Sequence, residues 1–467
     1  MEGLLSPLLD LFGSWDKVFS RKKVARRATA LAVSMYLTLG RKTISRALCA
    51  AALDQFDWTA MYRIFSRRVW APRSLFTPII EKVSLLLEGD ESPITVAFDD
   101  TVVRKTGRHI VGTAWQRDPL SPHFRVNFVW GIRYLQASLL VPLYRRDPHT
   151  PPRGLPIRIE QLPKFKKPSK KSSSADWARY RKLTKKFNLS TAFARELRFL
   201  RNAIDQQGLA DREVLAVGDN HFCNRHCFLA GVPKTNLLVR AKRNARLYQR
   251  AAQGGGRRFY EPHGFTPEDV HKNESKPFSA TSVFYGGTFR EVRYKEIPEC
   301  YWKKVTSRLP LRLIVVAPTP YRRDRAGHLV YNDPAFLLTN DVKSPVATMI
   351  QKYFDRWQIE VNFRDEKDLM GLAQQQVWSP RSVPRLPAFI AASYSVLLLA
   401  SILRFKDRRD PLHFPERPRW RRDDIPTRPS CLDLLALIRA EIIDSPQVVA
   451  HLGIAPGTKS IVAKAAA

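Results

Sequence analysis

Four residues in the stretch QKYFDRWQIEVNFRDEKDLMGL are spaced for joint work. Tyr353, Arg356, Glu360 and Lys367 follow one another at intervals of three, four and seven residues. On an α-helix those intervals keep all four within one stripe. One face then carries a phenol, a guanidinium, a carboxylate and an ammonium, a combination that core packing alone does not require. Two chemistries fit it. A carboxylate that holds a metal ion would use phosphate-binding neighbours, with Arg as a fork and Lys as a point charge. A salt-bridged amphipathic helix would instead pair Glu360 with Arg356 and Arg364 at i±4. Two further acids stand out by context. Asp99 ends the alternating run ITVAFDD, with Asp100 and Thr101 after it, and Asp219 ends VLAVGD. Aspartates at the carboxyl ends of core strands can converge, because ligand sites form there in open α/β sheets. A glutamate from a helix laid across that edge would complete a three-carboxylate pocket, whose hard oxygens suit magnesium or manganese.

Such a pocket needs strands, and the chain divides so as to supply them. Residues 1–90 read as helical: LAVSMYLTLGRK, ISRALCAAALDQF and WTAMYRIFSRRVW carry apolar residues at three- and four-residue spacing. Asp57 is placed to cap the last of these. Arg21, Lys22, Lys23, Arg26 and Arg27 lead in, and Arg63, Arg67 and Arg68 decorate the third segment. Basic helix ends suit a DNA-docking module of helix-turn-helix type; a solvated bundle face is the plainer alternative. From Pro93 the period drops to two, and residues 91–242 read as the first part of a catalytic core. Its strands are ITVAFDD, FRVNFVWGIRYLQ, ASLLVPLY, VLAVGD and KTNLLVRAK, with the helix TAFARELRFLRNAIDQQG before VLAVGD. Residues 164–186 hold ten Lys or Arg against one Asp and read as a solvated, mobile connection able to track a phosphate backbone. Residues 243–335 read as a β-rich insertion with the turn Gly254-Gly255-Gly256, and 336–403 as the second part of the core with the glutamate helix. Residues 404–467 form a basic, Pro-rich linker and a C-terminal helical region.

Composition narrows the partners. The 78 Lys and Arg exceed the 43 Asp and Glu by 35, an excess that a polyanion would neutralise, so nucleic acid comes first. Five scattered cysteines argue against a disulfide scaffold and fit a reducing compartment. Leu386 to Leu403 is an uncharged stretch that reaches the lower limit of a membrane span. Its proline, three serines and tyrosine point to a helix buried in a large domain, so no membrane partner is expected. His221, Cys223, His226 and Cys227 lack the paired spacing of a zinc site. The glycine triplet has no Lys-Ser/Thr partner and is no nucleotide loop.

Taken together, these residues resemble the DDE transposases of bacterial insertion sequences, in the group marked by Y-x-x-R-x-x-x-E-x6-K. YFDRWQIEVNFRDEK carries the four markers at that spacing, DDT at 99–101 is similar to the group's first-aspartate motif, and VGDNHF to its second. The resemblance runs from the N-terminal helices to about residue 380. It implies an α/β, RNase H-like fold: a mixed five-stranded sheet with flanking helices, a β-rich insertion before the glutamate helix, and an N-terminal helical DNA-binding domain. It further implies that Asp99, Asp219 and Glu360 form a catalytic triad holding two Mg2+ or Mn2+ ions, with D-x-T favouring Asp99 and Asp100 as the alternative first carboxylate. Tyr353, Arg356 and Lys367 would contact phosphates at the transposon end. Relatives stack a flipped base on an insertion-domain tryptophan; Trp302 stands alone in that segment and is left unassigned. The implied activity is cut-and-paste transposition on double-stranded DNA, by a homodimer that holds two element ends in the bacterial cytoplasm. An inactive transposase relic that binds DNA as a repressor is the alternative from another class, and a structure-selective nuclease is a third.

Overall fold

A computed structural model describes residues 3–67, 69–89, 91–118, 121–122, 124–143, 151–251, 258–321, 327–414 and 428–454. The Gly254 triplet, Arg68 and much of the Pro- and Arg-rich tail lie outside them. The chain opens with helices α1 (Leu5–Gly13), α2 (Lys22–Leu37), α3 (Ile44–Ala50), α4 (Trp58–Ser66) and α5 (Thr77–Leu87). Asp57 caps α4 as its position predicts, its carboxylate accepting from the Ala60 amide at 3.3 Å.

Strands β1 (Ile94–Arg104), β2 (Ala114–Arg117), β3 (Phe128–Val141) and β4 (Arg153–Leu162) follow. The two strands expected across 124–144 are one. β3 pairs with β1 over residues 131–139 and with β4 over 133–141, and only a register shift opposite Ala137 and Ser138 marks where the two sequence runs meet. The basic stretch that reads as a mobile connection contains α6 (Ser174–Phe187), started by a capping box between Ser173 and Asp176. It buries no residue fully, but Trp177, Tyr180, Leu183 and Phe187 recur at helical spacing and are half-buried along one face, a stripe that the surrounding charges mask in the sequence. Then come α7 (Leu189–Ile204), β5 (Val214–Gly218), α8 (Arg225–Phe228), β6 (Thr235–Arg240) and α9 (Pro267–Lys272). β5 is buried at every position, as a strand covered on both faces must be.

The segment 243–335 is rich in strands, but they do not stand apart. β7 (Ser279–Tyr285), β8 (Thr288–Cys300) and β9 (Leu311–Val316) join β12 (Ala335–Thr339), which pairs with β6. One ten-stranded sheet results, in the order β2-β3-β1-β5-β6-β12-β9-β8-β7, with β4 also on β3. Within it the run β4-β3-β1-β5-β6 is a five-stranded mixed sheet, parallel across β1-β5-β6 and antiparallel beyond. The five strands that the resemblance implies are therefore half of a larger sheet. β10 (Pro320–Tyr321) and β11 (Val330–Tyr331) make a separate small ribbon.

The C-terminal helices are α10 (Val346–Asp355), α11 (Trp357–Asp368), α12 (Ser382–Phe405), α13 (Cys431–Asp444) and α14 (Gln447–Ala450). α12 is long and apolar enough to cross a membrane, yet it is almost wholly buried inside the protein, against β4, α1 and α5. Its serines fit an apolar interior because Ser393 and Ser395 donate to the carbonyls of Phe389 and Ala391 one turn back, at 2.8 and 3.0 Å. The N-terminal helices enclose no core of their own. Trp15 and Phe65 pack on Phe389, and the Tyr36 hydroxyl donates to the Ser393 carbonyl at 2.7 Å, so α1 to α5, α12 and the sheet share one interior.

Candidate active site

β1 and β5 run parallel with Phe98 opposite Gly218, so Asp99 and Asp219 stand side by side on neighbouring strands. Asp99 does not end its strand as the sequence suggests: β1 runs on to Arg104, held by β3, and Asp99 is only where its pairing with β5 stops. Local packing fixes the second of them. The Phe222 ring folds back over Gly218 so closely that a Cβ there would stand 2.6 Å from its Cδ2. Phe222 also meets Phe98 and Phe193, which pins the turn that follows β5. Asp219 caps that turn, accepting from the His221 amide at 2.9 Å, and its other oxygen lies 2.9 Å from His221 Nδ1.

Neighbouring residues of a strand face opposite ways, and this separates the doubled aspartate. Asp99 accepts from Arg356 Nη1 at 2.9 Å, on the side of the sheet covered by α11. Asp100 accepts from Arg133 Nε and Nη2, at 2.5 and 2.7 Å, and lies 4.0 Å from His221 Nδ1. Arg356 also donates through Nη2 to Glu360 at 2.9 Å. One guanidinium thus joins Asp99, in the middle of β1, to the helical Glu360. α11 is held in place by a small apolar cluster of Ala97, Leu140, Ile359 and Phe363, and by Asn362, whose side chain donates to the Gly154 carbonyl at 2.9 Å. A Cβ on Gly154 would come within 2.9 Å of Gln358 Cβ, so glycine is what lets β4 approach the helix.

The stripe that the spacing predicts is split between two helices. α10 ends at Asp355, and Arg356 is a turn residue tightened by a bond from the Ile359 amide to its carbonyl at 3.0 Å. Arg356 and Glu360 still meet, and the ion pair of the plainer helix reading is therefore present, though extended to Asp99. Arg364 turns instead to Asp365. Tyr353 lies on α10 against an apolar cluster, its ring 5.8 Å from the Arg356 guanidinium carbon. Lys367 stands beside the Phe363 ring.

Asp99, Asp100, Asp219, Glu360 and Lys367 open on one cleft of about 1270 Å³. Tyr180, Thr184 and Phe187 of the basic helix α6 form part of its wall. Burial pushes the Asp99 carboxyl up to about 7; Arg356 pulls it down and the Asp219 charge pushes it further up. Asp219 experiences the same burial, but His221 and then Arg356 outweigh it and hold it below its ordinary range. His221 is raised, chiefly by its bond to Asp219. Burial raises the Tyr353 phenol and lowers the Lys367 ammonium.

Among the described residues, no three His, Cys, Asp or Glu side chains are gathered closely enough to share a metal ion. The guanidinium of Arg356 lies between Asp99 and Glu360 instead. The donor set nevertheless suits a divalent cation. Three hard carboxylates border one cleft, and burial raises the Asp99 carboxyl against the pull of Arg356, a cost that a bound cation would offset. Arg133 and His221 are the residues that sequence reasoning passed over. Arg133 lies two residues along β3 from the position opposite Asp100, a relation that only the strand register reveals, and His221 reads as one member of a poor zinc pattern. Cys223 and Cys227 pack into the apolar interior, as does the edge of Trp302.

Comparison with known families agrees with this geometry. The family model described as DDE superfamily endonuclease matches residues 15–282, from the N-terminal helices to β7. The model described as transposase DDE domain matches residues 179–394, which takes in Asp219, the α10–α11 pair and half of α12. No curated protein matches the chain. Domains of this kind act on DNA and generally use divalent metal ions. The first match alone spans more than half of the 467 residues, and the chain therefore belongs to the DDE superfamily of endonucleases, as a DDE-type transposase or endonuclease.

Proposed function

We propose that this protein is the transposase of an insertion sequence, of the group marked by Y-x-x-R-x-x-x-E-x6-K. It binds the terminal inverted repeats of its element, cuts there and joins the freed ends to a target. The observation that carries the reading is the bridge Asp99–Arg356–Glu360, because it ties the acid of β1 to the glutamate of the signature helix through the signature arginine. Asp99, Asp219 and Glu360 would hold divalent ions, Mg2+ or Mn2+ and two in number, which supply an activated water and a stabilised leaving oxygen. Asp99 is preferred to Asp100 as the first carboxylate, since Asp100 is committed to Nε and Nη2 of Arg133.

The chain's own groups do the rest. Arg356 offers a planar fork and Lys367 a point charge, both suited to a phosphate at the cut. Tyr353 backs the guanidinium with its ring. His221, raised by Asp219, holds a proton on the cleft side and keeps that carboxylate oriented. The bases of α6 and of the N-terminal helices bind the duplex through its backbone, the latter serving as the DNA-binding region. Two copies act together, one at each element end. The test uses purified protein, supercoiled plasmid bearing the native ends, and magnesium, with Glu360→Gln alongside. Excision or joining by wild type, and binding without cutting by the variant, is the expected result. If neither protein cuts in magnesium or manganese while both bind, the reading gives way to a DNA-binding relic.

A further inference from the structure

A second recess lies outside the carboxylate cleft, between the connection that follows β1 and the segment after α11. It measures about 410 Å³, and Arg41, Arg104, Lys105, Arg108, His109 and Trp378 border it. That volume is of the size that holds a small ligand such as one or two nucleotides, and is too small for a duplex. No acid is among its lining residues. Arg41, Arg108 and His109 form no ion pair with a carboxylate among the described residues, although all three are exposed.

The recess is built, not incidental. Lys105 donates to the Gln375 carbonyl and side chain at 3.2 and 3.3 Å, which joins its two walls. Burial without a carboxylate lowers that ammonium to about 8. Trp130 Nε1 donates to the Gly107 carbonyl at 3.1 Å. The Arg108 guanidinium lies over Trp130 and Trp115, at 5.0 and 5.4 Å, so its charge is held by rings that leave it free for an anion. Trp378 stands at the rim with 73% of its surface exposed, and no ring among the described residues packs on its indole. A cluster of cations with an open aromatic face matches a phosphodiester that carries an unpaired base. The recess also adjoins the cleft. Arg104 pairs at 3.0 Å with Asp118, which lines the cleft, and the charge of Arg104 acts on Lys367.

We infer that this recess is a second nucleic-acid site, which takes the backbone and an unpaired base of the DNA strand running out of the carboxylate cleft. The inference rests on the reading of that cleft as a DNA-processing site. Its test needs no cleavage: full-length protein in EDTA, with fluorescence anisotropy on a blunt duplex, the same duplex with a short single-stranded tail, and the single strand alone. Trp378→Ala weakens the tailed duplex and the single strand about tenfold, with the salt slope unchanged, and leaves the blunt duplex within about twofold. Arg41→Ala weakens the tailed duplex several-fold and reduces the salt slope by about one. Both residues are exposed, and matching thermal melts confirm that the variants fold. The inference is overturned if both variants bind the tailed duplex as wild type does, or if they lose blunt and tailed duplex equally. Glu360→Gln retains the tail preference in this assay. A protein that never cuts but prefers the tail through Trp378 therefore sinks only the cleft reading, and one that cuts without that preference sinks only this one.

Discussion

Two buried arginines of this protein serve opposite ends. Arg153 on β4 faces Asp407 at 3.6 Å beyond the end of α12, and the two side chains are 8% and 0% exposed. Ser401 donates to Asp407 at 3.1 Å, and the Tyr394 hydroxyl to the nearby Asp365 at 2.9 Å. There the cation has one ion-pair partner, and the charges of Asp365 and of Arg428 also act on the pair. Arg356 is nearly as buried, yet it divides itself between Asp99 and Glu360, which sit on different elements and open on a cleft. Burial alone therefore does not separate structure from function. A charge closed on a single partner serves the fold, whereas a charge shared between two acids at an open edge is available for another ligand.

The comparison is broken most severely by removing the closed partner. Arg153→Met leaves Asp407 buried without its ion-pair partner, and is expected to cost about 3–5 kcal/mol of stability, read in chemical denaturation. If the variant unfolds like wild type, the pair is no structural anchor. Glu360→Gln should do the reverse: cleavage falls on the order of 10²–10³-fold while the denaturation midpoint hardly moves. A large loss of stability there would place Glu360 in the structural class. A pH series sharpens the contrast. Burial, reinforced by Asp219 against the pull of Arg356, holds Asp99 at about 7, so its carboxylate form gains as pH rises through that value. Cleavage at limiting metal should thus drop roughly tenfold per pH unit below about 7 and level off above it. A rate that is flat from pH 6 to about 8 contradicts a role for ionised Asp99. The smallest effect belongs to the exposed helix on the cleft wall. Lys185→Ala or Lys186→Ala in α6 should weaken DNA about twofold and reduce the salt slope by about one each, without altering the melt.

What could be read in the chain followed periodicity. The acids at 99 and 219 and the helical spacing around 360 are local patterns, and those residues border one cleft, although only Asp219 stands at the end of its strand. The helices before residue 90 carry apolar stripes and were legible for the same reason. What stayed hidden was set by partners distant in sequence. β3 reads as two strands because its continuity depends on β1 and β4 flanking it on both edges. β7 to β9 read as an insertion, since nothing local tells that β9 will pair with β12. α6 was hidden for a different reason: its capping box at Ser173 and its stripe of Trp177, Tyr180, Leu183 and Phe187 are local marks, but they lie within a run dominated by Lys and Arg. The pairing of Arg133 with Asp100 is a cross-strand relation with no signature of its own.

The burial of α12 against the N-terminal helices has a consequence for how the protein is made. Tyr36 is bonded to a carbonyl 357 residues further on. At roughly 5–20 residues per second, a ribosome needs on the order of 20–70 s to deliver that partner. Throughout that interval α1 and α2 have emerged with their apolar faces uncovered, and a nascent chain is bound to need shielding from its neighbours. A message cut short before α12 would yield aggregating fragments and no freestanding DNA-binding module, so in this chain helices translated early wait for a partner made 357 residues later.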